Sequence, residues 1–371
     1  MRSRLNSTPA AGQLLMVGFD GAELSSELSE RLRRLQPAGV ILFARNLVNP
    51  QQTHQLLKSC QAAVRTPLFT AVDLEGGLVD RFRDLVGPAP AAADVFATGE
   101  PALYRKHGEL IGSICRALGF NLDFAPVLDL AFPASRKVMG SRAVSADPRQ
   151  TIAYARQFLA GLGRAGVLGA GKHFPGLGEG TLDSHHQLPV INKPFKKLWE
   201  EDLLPYRVLK RLLPMVLISH ANYPAVTRDR VPASLSPHWI SAVLRRRIGY
   251  RGLIVSDDLE MGAFEKSIPI EQGAVEFIRA GGDVALICHD QEKVEAAFAA
   301  LVRAAERDVR FRRRMQESVR RIAALKHRVR LRMPALPPAQ EKISRLSTQL
   351  WEYSERVRYS ALSAAAAGAA R

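Results

Sequence analysis

Cysteine is scarce: three residues, Cys60, Cys115 and Cys288, lie far apart in 371. Such spacing offers no disulfide framework and predicts reduced thiols in a cytoplasmic setting. Long apolar runs are also missing. No stretch approaches the roughly 20 residues that a membrane-spanning helix needs, and the polar opening Met1–Gln13 breaks off before any segment fit for a secretory leader. Insertion and secretion are both unexpected. A doubly wound nucleotide fold would carry a glycine-rich turn after an early strand, and Gly18-Phe19-Asp20-Gly21 is no such turn. Acid is in short supply, 36 Asp and Glu against 52 Lys and Arg, a net charge of +16. Between Arg303 and Arg332 there are 12 basic residues and 3 acidic ones, so much of the excess lies in one late segment. That segment reads as a solvated helix face, and no nucleic acid partner is expected from it.

What the chain does have is apolar substance, 47% hydrophobic residues, enough for a large core. Apolar runs of strand length recur eight times: Leu14–Phe19, Val40–Phe43, Leu68–Val72, Asn121–Val127, Val167–Ala170, Met215–Ile218, Leu253–Val255 and Val284–Ile287. Amphipathic stretches of helical length separate them: Glu23–Leu35, Pro50–Val64, Ala102–Leu118, Pro148–Ala165, Pro194–Leu213, Pro237–Ile248 and Ile270–Ala280, with Gln291–Arg307 last. Asp147 before Pro148 and Ser236 before Pro237 read as helix caps followed by first-turn prolines. This alternation predicts a (β/α)8 barrel over residues 1–308. Residues 309–371 read as a basic helical extension. It contains the proline-rich break Met333–Gln340 and a last helix from Ile343, with Trp351 and Tyr353 as its anchors.

Barrel enzymes gather their chemistry at the carboxyl ends of the strands. Polar residues fall there on five consecutive runs: Asp73 and Glu75, then Asp129, then Lys172 and His173, then Ser219 and His220, then Ser256, Asp257 and Asp258. The fifth run opens into a stretch of polar residues bracketed by glycines, Gly171 to Val190, which holds Asp183 and His185 two residues apart. In an extended segment such residues point the same way, so Asp183 can hydrogen-bond His185 and favour its protonated form. Gly176, Gly178 and Gly180 give that general acid/base dyad a flexible arm. Asp257, ending a buried strand, is the candidate nucleophile, with Asp258 capping the next helix and Glu260 in its first turn.

These motifs resemble glycoside hydrolase family 3, in particular the single-domain bacterial β-N-acetylglucosaminidases of cell-wall recycling. The match spans Leu14 to Leu301. K-H-F-P-G-x-G and D-S-H-x-x-L-P within Lys172–Pro189 are its most specific parts, and V-S-D-D-L-E-M-G-A at Val255–Ala263 is similar to the family's nucleophile segment. Asp73–Phe82, Asn121–Asp129 and Gly140–Ala143 fit as well. The resemblance implies retaining hydrolysis of a terminal β-linked N-acetylglucosamine, with Asp257 as nucleophile, His185 as acid/base and Asp183 as its partner. It implies that Asp73, Arg81, Arg142, Lys172 and His173 hold the sugar hydroxyls, with a small carbohydrate as substrate and no metal or cofactor. The chain departs from the family pattern at Leu177, Leu78 and Asp80, which bears on loop shape and aglycone. Phosphorolysis and β-glucosidase activity are the alternatives within the family. A metal-dependent hydrolase using His173, Asp183, His185, His186 and His220, or a sugar-sensing protein without catalysis, are the alternatives outside it.

Overall fold

The computed structural model describes residues 7–180, 188–329, 331 and 333–369. Among them, eight parallel strands close into a barrel: β1 (Leu15–Val17), β2 (Gly39–Ile41), β3 (Phe69–Val72), β4 (Leu122–Asp123), β5 (Leu168–Phe174), β6 (Met215–Ile218), β7 (Leu253–Asp258) and β8 (Val284–Ile287). Chain neighbours pair in turn, and β1 pairs with β8, Leu15 opposite Ala285 and Val17 opposite Ile287. The alternation therefore forms the (β/α)8 barrel it predicts.

The two-residue period of each strand divides its side chains between two cores. On β7, Ile254 faces the surrounding helices while Leu253 and Val255 fill the barrel interior. Phe69 and Ala71 of β3, Leu168 and Ala170 of β5, and Val284 and Leu286 of β8 fill it in the same way. The next inward position breaks the apolar pattern on three of these strands, with Asp73, Lys172 and Asp257, while β8 continues it with Cys288. All four line one cavity at the carboxyl ends of the strands. Site and core are thus successive layers of the same inward rows.

The opposite end of the barrel is closed by the helix Val309–Val329, whose Ile322 and Leu325 join the interior cluster. Lys326 from this helix is buried there, 3.1 Å from Gln13 Oε1 and 5.1 Å from the Phe69 ring centroid. Arg245, Arg314 and Arg321 converge on the buried Asp283 just before β8. The final helix, Gln340–Ala369, lies on the barrel's flank. Its Tyr353 is buried and donates to Leu103 O at 2.8 Å. Trp351 is exposed and does not anchor the helix to the barrel, because the helix presents only one face to it and residue 351 lies off that face.

Other local departures have physical causes. β5 runs past Ala170 to Phe174, since Lys172 and His173 are paired with Asp73 and Asp129 and need no exit to solvent. The helix expected over Pro194–Leu213 is two short ones, Phe195–Glu200 and Leu204–Leu209. Between them Glu201 and Asp202 turn to the buried Lys193 at 2.6 and 2.7 Å. Asp147 caps its helix through Arg149 N. Ser236 does not cap the next, which starts at His238 without a side-chain cap.

Candidate active site

β3 leads directly into a hairpin, Leu74–Gly76 paired with Val79–Asp80, that rises beside the cavity. Its turn needs glycine. Gly76 and Gly77 have φ of 82° and 61°, and a Cβ on Gly76 would meet Pro90 O at 2.1 Å. Asp80 fixes the hairpin's return by accepting from Phe82 N at 3.1 Å and Ala89 N at 2.8 Å. Behind it, the buried Asp123 accepts from Leu74 N at 3.0 Å, and burial pushes that carboxyl well above the usual range.

The hairpin delivers Glu75 to the middle of a charge cluster. Arg142 binds it through two hydrogen bonds, 2.8 and 2.9 Å, and Lys172 Nζ lies 2.6 Å from Glu75 Oε1 and 2.8 Å from Asp73 Oδ1. Burial alone would raise the Glu75 carboxyl, but Lys172 and Arg142 outweigh it and hold it at about 2. The same acids raise Lys172 against its own burial. Both cations therefore stay charged, in fixed positions at the cavity wall. His173 Nδ1 lies 2.6 Å from Asp129 Oδ2, and its Nε2 lies 3.4 Å from Arg142 Nη2. Arg81 reaches the same cavity with its guanidinium 5.7 Å from the Phe43 ring centroid.

Across the cavity stands Asp257, half-buried, with Oδ1 accepting from Asp258 N at 3.0 Å. Asp258 accepts from Glu260 N at 3.1 Å, and burial raises its carboxyl to about 7. It does not cap the following helix, which begins at Gly262 behind Met261. Glu260 is not in that helix either. Its carboxylate accepts from the backbone N–H groups of Cys288, His289 and Asp290, tying β7 to the loop after β8. His220 holds the same segment from β6, with Nε2 2.9 Å from Asp258 O and Nδ1 2.7 Å from Ser234 Oγ. Both its nitrogens are engaged, so it offers no free electron pair to a metal. Among the described residues no group of three His, Cys, Asp or Glu side chains is disposed to hold one.

The cavity measures about 640 Å³, room for a sugar unit and part of its substituent. Asp73, Arg81, Arg142, Lys172, His173 and Asp257 all line it. Asp183, His185 and His186 lie outside the described residues. The loop that carries them leaves from beside the cavity, since Leu177 lines it and donates from its N–H to Asp129 Oδ1 at 2.7 Å. Sequence reasoning did not give Glu75 a role. Its signal was present: Glu75 stands two residues from Asp73 in extended chain, so both can reach one cation. Glu260 and His220 act through backbone atoms distant in sequence and leave no comparable signal.

A family model described as glycosyl hydrolase family 3 N-terminal domain matches residues 9–325. The chain belongs to glycosyl hydrolase family 3. Membership makes it a glycoside hydrolase. A β-hexosaminidase of Alkalilimnicola ehrlichii is 40% identical over 294 residues, 77% of this chain and 84% of that one. A β-hexosaminidase of Idiomarina loihiensis is 32% identical over 92% of this chain and 98% of its own. Among solved structures, a family 3 β-N-acetylglucosaminidase from Paenibacillus superposes with a TM-score of 0.86 at 32% identity, covering 94% of this chain and 68% of that one. Among the described residues, no helix of this family 3 chain is long and apolar enough to cross a membrane.

Proposed function

We propose that this hydrolase removes terminal β-linked N-acetylglucosamine with retention of configuration, and that its natural substrates are peptidoglycan-derived fragments. The activities of the relatives support the sugar. The mechanism rests chiefly on one observation: Asp257 faces, across a sugar-sized cavity, a wall of fixed cations and acids. Asp73, Arg81, Arg142, Lys172 and His173 hold the hydroxyls of the terminal residue, replacing water with directed donors and acceptors. An Asp257 oxygen attacks the anomeric carbon as the bond to the leaving oxygen breaks, and His185, oriented by Asp183, gives that oxygen its proton. Water then passes a proton to His185 and displaces Asp257, restoring the starting configuration. The buried free thiols of Cys60, Cys115 and Cys288 support a cytoplasmic setting.

Proton NMR of the first product tests the mechanism: the β-anomer is expected, and the α-anomer would refute the double displacement. A panel of nitrophenyl β-glycosides tests the sugar, with equal rates on glucoside and N-acetylglucosaminide refuting the specificity. Sugar 1-phosphate formed in phosphate buffer would show that phosphate replaces water.

A further inference from the structure

The loop proposed to carry the acid/base enters and leaves the barrel through a narrow neck. On the entering side, Gly176 O accepts from Tyr223 Oη at 2.7 Å and Leu177 N donates to Asp129 at 2.7 Å. Gly178 packs so closely on Phe132 that a Cβ there would lie 2.8 Å from its ring. On the leaving side, Asn222 brackets the chain, donating to Pro189 O and accepting from Ile191 N, both at 2.8 Å.

Lys193 follows immediately and is buried, with Nζ 4.4 Å from the Phe132 ring centroid. Its two short contacts are Glu201 and Asp202, which lie just beyond it on its own side of the neck and suffice to balance a buried ammonium. A third carboxylate, Glu179, approaches to 3.3 Å from the other side. That third contact is surplus to neutralisation, and it is the one that joins the entering strand of the loop to the leaving one.

We propose that Glu179 and Lys193 form a clasp at this neck and act as positioning residues for His185. The inference rests on the proposed acid/base role of His185. A loop whose ends are fastened together samples fewer conformations than one fastened at separate points, so the fraction with the imidazole at the leaving oxygen rises. Neither residue lines the cavity. The clasp therefore affects the protonation step and leaves sugar binding alone.

The test is a series of β-N-acetylglucosaminides with leaving groups from nitrophenol to simple alcohols, measured for the parent, Glu179→Gln and His185→Ala. Glu179→Gln keeps Lys193 paired to Glu201 and Asp202, and Glu179 is partly exposed, so the variant folds; a melting curve checks it. Glycosyl-enzyme formation from the alcohol glycosides is expected to slow roughly two- to fivefold, the range an ion pair of this exposure supports, with the same step on nitrophenyl glycosides unchanged. A uniform loss across the series, or none, while His185→Ala shows a steep leaving-group dependence, would overturn the clasp alone. A flat profile for His185→Ala itself would overturn the acid assignment and the clasp with it.

Discussion

Glu75→Gln is the most informative single change in the charge cluster, because it removes one charge and almost no volume. In the parent, Glu75 is fully buried between Lys172 and Arg142, and its carboxyl is held at about 2 against an ordinary 4.5. A folded value below the unfolded one means that the group stabilises the fold above pH 4.5 and loses that contribution as pH falls through about 2. The difference corresponds to about 3 kcal/mol at neutral pH. The glutamine keeps one acceptor for Arg142 but leaves two buried cations sharing mainly Asp73. Urea denaturation at pH 7 should therefore show the variant less stable by about 3 kcal/mol, with the gap shrinking by just under 1 kcal/mol at pH 4 as the unfolded parent begins to bind its proton. Activity should fall with it, because Lys172 and Arg142 are no longer held at the cavity wall. Equal stabilities at pH 7, or a gap that widens toward pH 4, would refute the claim that Glu75 is ionised and stabilised by these two cations.

Asp257→Ala should lose turnover by several orders of magnitude on every substrate, and a slow fluorosugar should label Asp257 in the parent; a label on Asp258 or Glu260 would name a different nucleophile. His185→Ala should slow formation of the glycosyl-enzyme from glycosides of simple alcohols by roughly 10²–10⁴ while sparing that step for nitrophenyl glycosides, as burst kinetics would show. Release of the glycosyl-enzyme to water should slow for both, because the same imidazole takes the proton from water. Lys326→Met should stabilise the fold by a few kcal/mol at pH 7 and below, since burial lowers the ammonium to about 7 from 10.5. The parent should regain that stability as pH rises from about 7 to 10.5, so a margin over the parent that stays constant in urea melts across this range would refute the buried-charge cost.

How far the sequence could be read is decided by period and distance. The inward rows Phe69-Ala71-Asp73, Leu168-Ala170-Lys172 and Leu253-Val255-Asp257 each count in twos from core to chemistry, so both the barrel and its polar rim follow from local pattern. Strand β4 was harder, because only Leu122 and Asp123 pair regularly with both neighbours, and contact with β5 continues beyond them only as the isolated bridge between Val127 and Lys172. The end of β5 was misjudged because a lysine and a histidine look like an exit to solvent until their partners are known. Those partners, Asp73, Glu75 and Asp129, arrive from other strands, and nothing in a linear pattern announces them. Glu260 shows the same limit: a first-turn acid by position, it is instead the acceptor for three backbone donors from the loop after β8.

Charge distribution separates two questions that the net charge of +16 runs together. Asp73, Glu75, Asp257 and Asp258 face Arg81, Lys137, Arg142 and Lys172 around the cavity, so its lining is near balance, as a neutral sugar requires. The surplus sits elsewhere. Arg314 and Arg321 of the helix Val309–Val329 bond to the segment just before β8, whereas Cys288 and His289, just after β8, line the cavity. The length of the barrel thus lies between the basic helix and the bond to be cleaved. At physiological ionic strength the screening length is about 8 Å, shorter than a barrel is deep, so the field of that helix hardly reaches the reacting carbon. Under the proposed function, directed contacts from Lys172, Arg142 and their acids act at the cavity wall within hydrogen-bond range, and it is they, rather than the overall charge, that select what enters.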